Sequence, residues 1–166
     1  EWENFIKTSE MPETPNSQVA IHPLSRKIIK NRLKRILKKG HKLLTGQPED
    51  EALHSLRIDC KKLRYLLEFF SSLYDADGIN TLVRQLKSLQ NLLGDYNDLS
   101  VQIADLSVRF KKLSEIPETP VEQAAALGGL LTFFQQKQTE LRNNFAQVFR
   151  EFSNKSHLEI YDRLFL

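Results

Sequence analysis

The sequence predicts an all-α protein, an antiparallel helical bundle of four main helices with short extra turns. Three observations carry that expectation. Leucine and isoleucine recur three and four residues apart over long stretches, the spacing of one face of a 3.6-residue helix. No stretch alternates apolar and polar residues with the β-branched enrichment of a strand. Turn-forming residues punctuate the pattern at helix-length intervals. A chain of 166 residues with 40% hydrophobic content is large enough to bury one core.

Residues 1–22, with Pro12, Pro15 and Asn16 among scattered polar residues, read as a tail or linker, and residues 23–166 as the bundle. A start without methionine leads us to expect a piece excised from something longer. Over 24–44, Ile29, Leu33, Ile36 and Leu37 form a narrow apolar stripe on a very basic helix, which Gly40 is expected to weaken or end early. Gly46, Gln47 and Pro48 make a turn. Glu49, Asp50 and Glu51 then supply the negative first turn of a second helix running to about Tyr74. After a turn at 75–78, Leu82, Leu86, Leu89 and Leu93 mark a third helix that should end near Gly94. In GDYND, Asn97 or Asp98 is placed to cap a fourth helix carrying Val101, Ala104, Leu106 and Val108 toward Leu113. Thr119, Pro120 and Glu122 form a capping box that opens a long helix over 120–152. Gly128 and Gly129 inside it are expected close-packing points or a kink. A short helix over 157–164 closes the bundle.

Charge is distributed unevenly. Residues 26–64 hold 13 Lys and Arg against 4 Asp and Glu, whereas the rest of the chain holds 11 against 17. Such clustering attracts polyanions even when net charge is only +3. The stretch HSLRIDCKKLRY focuses the charge. Leu53, Leu56, Cys60, Leu63 and Leu67 fall on one stripe of the second helix, and His54, Arg57, Lys61, Tyr65 and Glu68 fall roughly opposite. Lys62 and Arg64 stand at the edges of that basic stripe. Histidine and tyrosine are unusual choices for mere solubility, so the stripe reads as a binding surface for phosphate oxygens. Lys30 and Lys34 on the first helix, with Arg84 and Lys87 on the third, are candidates to join it. A second flank of the first helix carries Arg32, Arg35 and Lys39, and the sequence does not say which flank faces the second helix.

Several function classes lack their signatures. There is no phosphate-cradling glycine loop before a GK pair, no histidine pair at metal spacing and no cysteine cluster, so neither a catalytic residue, a metal site nor a cofactor is expected. The single cysteine, Cys60, excludes an internal disulfide and sits on the apolar stripe, where packing is its expected role. No apolar run approaches the roughly 20 residues of a membrane span, and the N-terminal residues lack the order of a secretory signal. A soluble cytoplasmic protein that touches no membrane is the default. Phe69, Phe70, Phe133 and Phe134 are assigned to the core, which argues against single-stranded nucleic acid, whose bases need exposed aromatics. Non-specific nucleic-acid binding through phosphates is the lesser expectation.

LHSLRIDCKKLRYLLEFF and LKSLQNLLGDYNDLSV together resemble the CHAD family, the conserved histidine α-helical domains. The matching positions are His54, Arg57, Lys61, Lys62, Arg64 and Tyr65, then Lys87, Gln90, Leu93, Gly94, Asn97 and Asp98. The resemblance spans 24–113 well and the remainder only as compatible helix. It implies two similar helical bundles around a basic central pore, and binding of inorganic polyphosphate, often on polyphosphate granules or beside a triphosphate-processing CYTH domain. The motif occurs once in a chain of about half the family's length. The chain therefore looks like the second, C-terminal bundle only, half of a two-bundle CHAD-like architecture, with a second bundle or a second copy as the expected partner. The reading is a non-catalytic polyphosphate-binding module contacting its ligand through Arg57, Lys61, Lys62, Arg64, Lys30, Lys34 and Lys87, with His54 donating a hydrogen bond and Tyr65 positioning the patch. The alternatives are a protein-interaction or dimerisation bundle that meets an acidic partner and, third, a phosphate-processing accessory module.

Overall fold

The computed structural model describes residues 19–46, 49–116 and 120–165. Within them the chain forms α1 (Ile21–Leu44), α2 (Asp50–Phe69), a 3-10 turn (Ser71–Leu73), α3 (Ala76–Ser114), α4 (Val121–Phe152) and α5 (Lys155–Phe165), and none of the described residues is in a strand. The all-α bundle the sequence predicts is the architecture observed. The core is built where α1, α2, the first half of α3, the end of α4 and α5 converge. The expected tail falls mostly outside the described residues, and α1 begins at Ile21.

Gly40 does not end α1. Ile29, Leu33, Ile36 and Gly40 are buried along one stripe, and a methyl group at Gly40 would lie 1.9 Å from Phe149 Cε2 on α4. The helix accepts glycine, at about 1 kcal/mol relative to alanine, because that ring needs the space. α2 stops at Phe69, short of the expected Tyr74. There Phe70 turns its ring into the core, and Ser71 Oγ donates back to Glu68 O at 2.8 Å, a local bond that competes with continued helix.

The largest departure is in α3, which the sequence divides at Gly94 and the structure does not. A single 39-residue helix runs through GDYND, and Asp75 caps it by accepting from the Gly78 N–H at 2.7 Å. Leu89, Leu92, Leu93 and Tyr96 keep one buried stripe across the glycine, and no proline interrupts it. Asp95, Asn97 and Asp98 are therefore mid-helix residues and cap nothing. Tyr96 secures this region: its hydroxyl donates to Asp50 Oδ1 at 2.5 Å, and Arg142 of α4 bonds both groups. Burial and the bond to Asp50 push the Tyr96 phenol above its ordinary range against the opposing effect of Arg142.

α4 starts at Val121 with Pro120 as its cap residue, one position later than expected, and Thr119 of the anticipated capping box lies outside the described residues, as do Gln47 and Pro48 of the first turn. A methyl at Gly128 would make only ordinary contact with Phe110 at 3.6 Å, and one at Gly129 would meet nothing. Neither glycine is required by close packing, and α4 runs through both without a break. Beyond the core, α3 and α4 continue as a two-helix arm in which no described residue between Tyr96 and Phe145 is buried. Among the described residues no helix is long and apolar enough to cross a membrane.

Candidate anion-binding cleft

α2 packs into the bundle through Leu53, Leu56, Cys60, Leu63 and Leu67, all fully or almost fully buried. That contact leaves the helix two polar flanks with opposite fates. On the flank toward α1, Asp59 is buried and collects three cations from that helix: Arg32 Nη1 at 2.5 Å, Arg35 Nε at 3.1 Å and Lys39 Nζ at 2.5 Å. Lys39 also donates to Ser55 Oγ at 2.7 Å. Burial alone would raise the Asp59 carboxyl, but the hydrogen bonds from Lys39 and Arg32 and the charges of Lys39 and Arg35 outweigh it and hold the group below its usual value. The flank of α1 that the sequence left unassigned is thus the one facing α2, where its three cations share the Asp59 carboxylate.

On the flank toward α3, Arg57, Lys61 and Arg64 face Arg84 and Lys87 across an open cleft of about 530 Å³, with Glu68, Gln90, Asn91 and Gly94 completing its walls. Spacing accounts for the grouping. Residues 57, 61, 64 and 68 recur three and four apart on α2, as 84, 87, 91 and 94 do on α3, so each helix presents one row to the groove. Gln90 fixes the floor by donating to the Cys60 carbonyl at 3.1 Å. Glu68 is the single acid among the lining residues, and it approaches Arg64 Nε at 3.1 Å. Arg84 Nη2 donates only to Thr81 Oγ1, at 3.2 Å. Arg57, Lys61, Arg84 and Lys87 have no ion-pair partner among the described residues. Five cations around one carboxylate raise one another's electrostatic energy, and an anion laid along the groove relieves it.

The other sequence candidates lie outside this cleft. Lys30 and Lys34 border a separate pocket between α1 and α5, beside Leu158, Tyr161 and Asp162. Lys62 is exposed on the side of α2 away from the core. Tyr65 stands at the rim, 51% exposed, with the Arg64 guanidinium 5.6 Å from its ring centroid. His54 lies one turn beyond the cleft: its Nδ1–H donates to Asn97 Oδ1 at 2.6 Å, next to Asp50 and Glu51. Cys60 is buried, and desolvation pushes its thiol up to about 12, so it is an inert packing residue. Among the described residues, no three His, Cys, Asp or Glu side chains are grouped to hold a metal ion.

Two features escaped the sequence reading. The sequence reading gave Asp59 no role; on the helix wheel it falls at the edge of the apolar stripe, about 40° beyond Leu63, and that position was the one hint of burial. Two of the four phenylalanines assigned to the core were misplaced: Phe70 is buried and Phe134 partly so, but Phe69 is 78% exposed and Phe133 50% exposed. The CHAD domain family model matches residues 1–107, which take in α1, α2 and α3 up to residue 107. No curated protein matches the chain.

Proposed function

We propose, because the chain belongs to the CHAD domain family, that the cleft between α2 and α3 binds inorganic polyphosphate without catalysing a reaction on it. The observation that carries the reading is the row of five cations, four of them free of any acid among the described residues, lining one groove open to solvent. A polyphosphate chain presents closely spaced charges and no bases, so its site needs dense Lys and Arg at short intervals and nothing to read an edge. Arg57 and Arg64 supply forked guanidinium donors, and Lys61 and Lys87 supply point charges. His54, one turn beyond the groove with its Nδ1–H committed to Asn97, stands outside the direct phosphate contacts. The protein would act in the cytoplasm, on polyphosphate granules where these form, and a second bundle or a second copy of this one would face this groove.

Calorimetric titration with long-chain polyphosphate at low and moderate salt tests the reading. Replacing Arg57 and Lys61 together by glutamine should cut affinity at least tenfold, over about 1.4 kcal/mol, and reduce the dependence on salt, since fewer counterions are exchanged. Circular dichroism should be unchanged, because both side chains lie outside the core. Unchanged affinity in a folded double variant would sink the proposal.

A further inference from the structure

The cleft has an aromatic rim that polyphosphate gives no reason for. On α2, Ile58, Tyr65 and Phe69 are 37%, 51% and 78% exposed, and they fall at intervals of seven and four on the face directly opposite the core. Single exposed apolar residues are ordinary. Two exposed rings one helical turn apart, each next in sequence to a residue lining a cationic groove, are not. Tyr65 follows Arg64, whose guanidinium packs near its ring at 5.6 Å, and Phe69 follows Glu68 and meets the Phe70 ring in a T-shaped contact at a centroid distance of 4.9 Å. At i and i+4 the two rings are neighbours on the helix surface.

We infer that the rim and the cleft together form a site for single-stranded nucleic acid. The phosphates follow Arg57, Lys61, Arg64 and Lys87, and consecutive bases stack on Tyr65 and Phe69. A positively charged track with adjacent stacking platforms is the arrangement by which proteins hold single strands regardless of sequence. Duplex DNA is disfavoured, because its bases are already stacked and cannot reach the rings. The inference shares its cations and Tyr65 with the polyphosphate reading and rests on that reading for them, but stacking on Phe69 belongs to the nucleic acid alone. A lipid surface would also meet basic and apolar residues, yet the free cations line a cleft between α2 and α3 that a flat surface does not enter.

Fluorescence anisotropy with a labelled single-stranded thymidine oligonucleotide, competed with polyphosphate, separates the two. The Phe69→Ala variant should bind the oligonucleotide about tenfold more weakly and polyphosphate within twofold of the parent. The Phe69→Leu variant, which keeps apolar area but no ring, should lose oligonucleotide affinity as well. Both substitutions are at an exposed position, and circular dichroism verifies the fold. Equal loss of both ligands, loss of neither, or an oligonucleotide affinity retained by the leucine variant, as an apolar or lipid contact would show, overturns the inference. The polyphosphate reading fails separately, through the Arg57 and Lys61 variant.

Discussion

Cations of the same kind line both sides of α2, three from α1 on one side and five from α2 and α3 on the other, but only the first set meets a buried acid. Toward α1, Arg32, Arg35 and Lys39 converge on the buried carboxylate of Asp59 and bind two helices together. Toward α3, Arg57, Lys61, Arg64, Arg84 and Lys87 share only Glu68. The difference is the depth of one acid. Asp59 is 2% exposed, so its charge must be matched within the protein, whereas Glu68 stands in solvent and commands little. Counting charges along the sequence cannot separate a structural cation from a binding one; the placement of the acids does.

Removing Asp59 breaks the comparison most severely. Asp59→Asn would leave three cations clustered at a buried, neutral amide, and loss of one member of a buried ionic group costs about 3–5 kcal/mol. Arg35 remains 60% exposed and solvated in the native protein, so the lower figure is expected. Urea unfolding should report that loss, while polyphosphate affinity of the folded variant stays within threefold. The pH dependence has a definite sign. The folded carboxyl lies below its unfolded value near 3.8, so its contribution is present in full above that value and is lost as pH falls through the folded pKa. The stability gap between the parent and Asp59→Asn should accordingly be constant near neutrality and shrink below about pH 4. A gap that persists undiminished in acid would mean that Asp59 acts through packing, not charge.

Much of this was legible in the chain. The stripes of Leu and Ile located α1 and α2, Pro120 and Glu122 announced α4, and the three-and-four spacing of Arg57, Lys61, Arg64 and of Arg84, Lys87 placed them on two rows that the fold brings together. What was not legible depended on a neighbour. Gly40 and Gly94 look alike in sequence; the first is required by the Phe149 ring and the second meets open space, and neither ends a helix. Lys30 and Lys34 have the same four-residue spacing as the cleft residues, but the angular position of Ile29 and Leu33 turns them toward α5. The rings of Phe69 and Phe133 were given to the core on residue type alone, although at 100° per residue Phe69 falls opposite Leu63 and Leu67. Periodicity settles which face of a helix is buried, but which partner lies against each flank is a property of the assembled bundle.

Glu68 sharpens the comparison from the other side. Glu68→Gln removes the one carboxylate from the cleft, frees Arg64 and raises the positive potential along the groove. Polyphosphate affinity should rise about threefold, roughly 0.7 kcal/mol, with the gain largest at low salt. The exposed pair with Arg64 contributes at most a few tenths of a kcal/mol to folding, so unfolding should be nearly unaffected. A fall in affinity would show that Glu68 positions Arg64 more than it competes with the ligand.

The smallest effect is expected where sequence alone would have placed a large one. Lys30→Gln/Lys34→Gln removes two charges from the basic segment, the same number as the Arg57 and Lys61 variant, but from the pocket against α5. If proximity to the cleft decides, polyphosphate affinity should fall less than twofold, about 0.4 kcal/mol, and that residual loss should vanish at moderate salt, because charges separated by more than a Debye length, about 8–10 Å, are screened. If net charge decides, the two double variants should lose affinity alike. Titrating both at the same two salt concentrations therefore asks whether the cleft is a site or only the densest part of a generally basic surface. The geometry predicts a difference between them of at least fivefold, persisting when salt is raised.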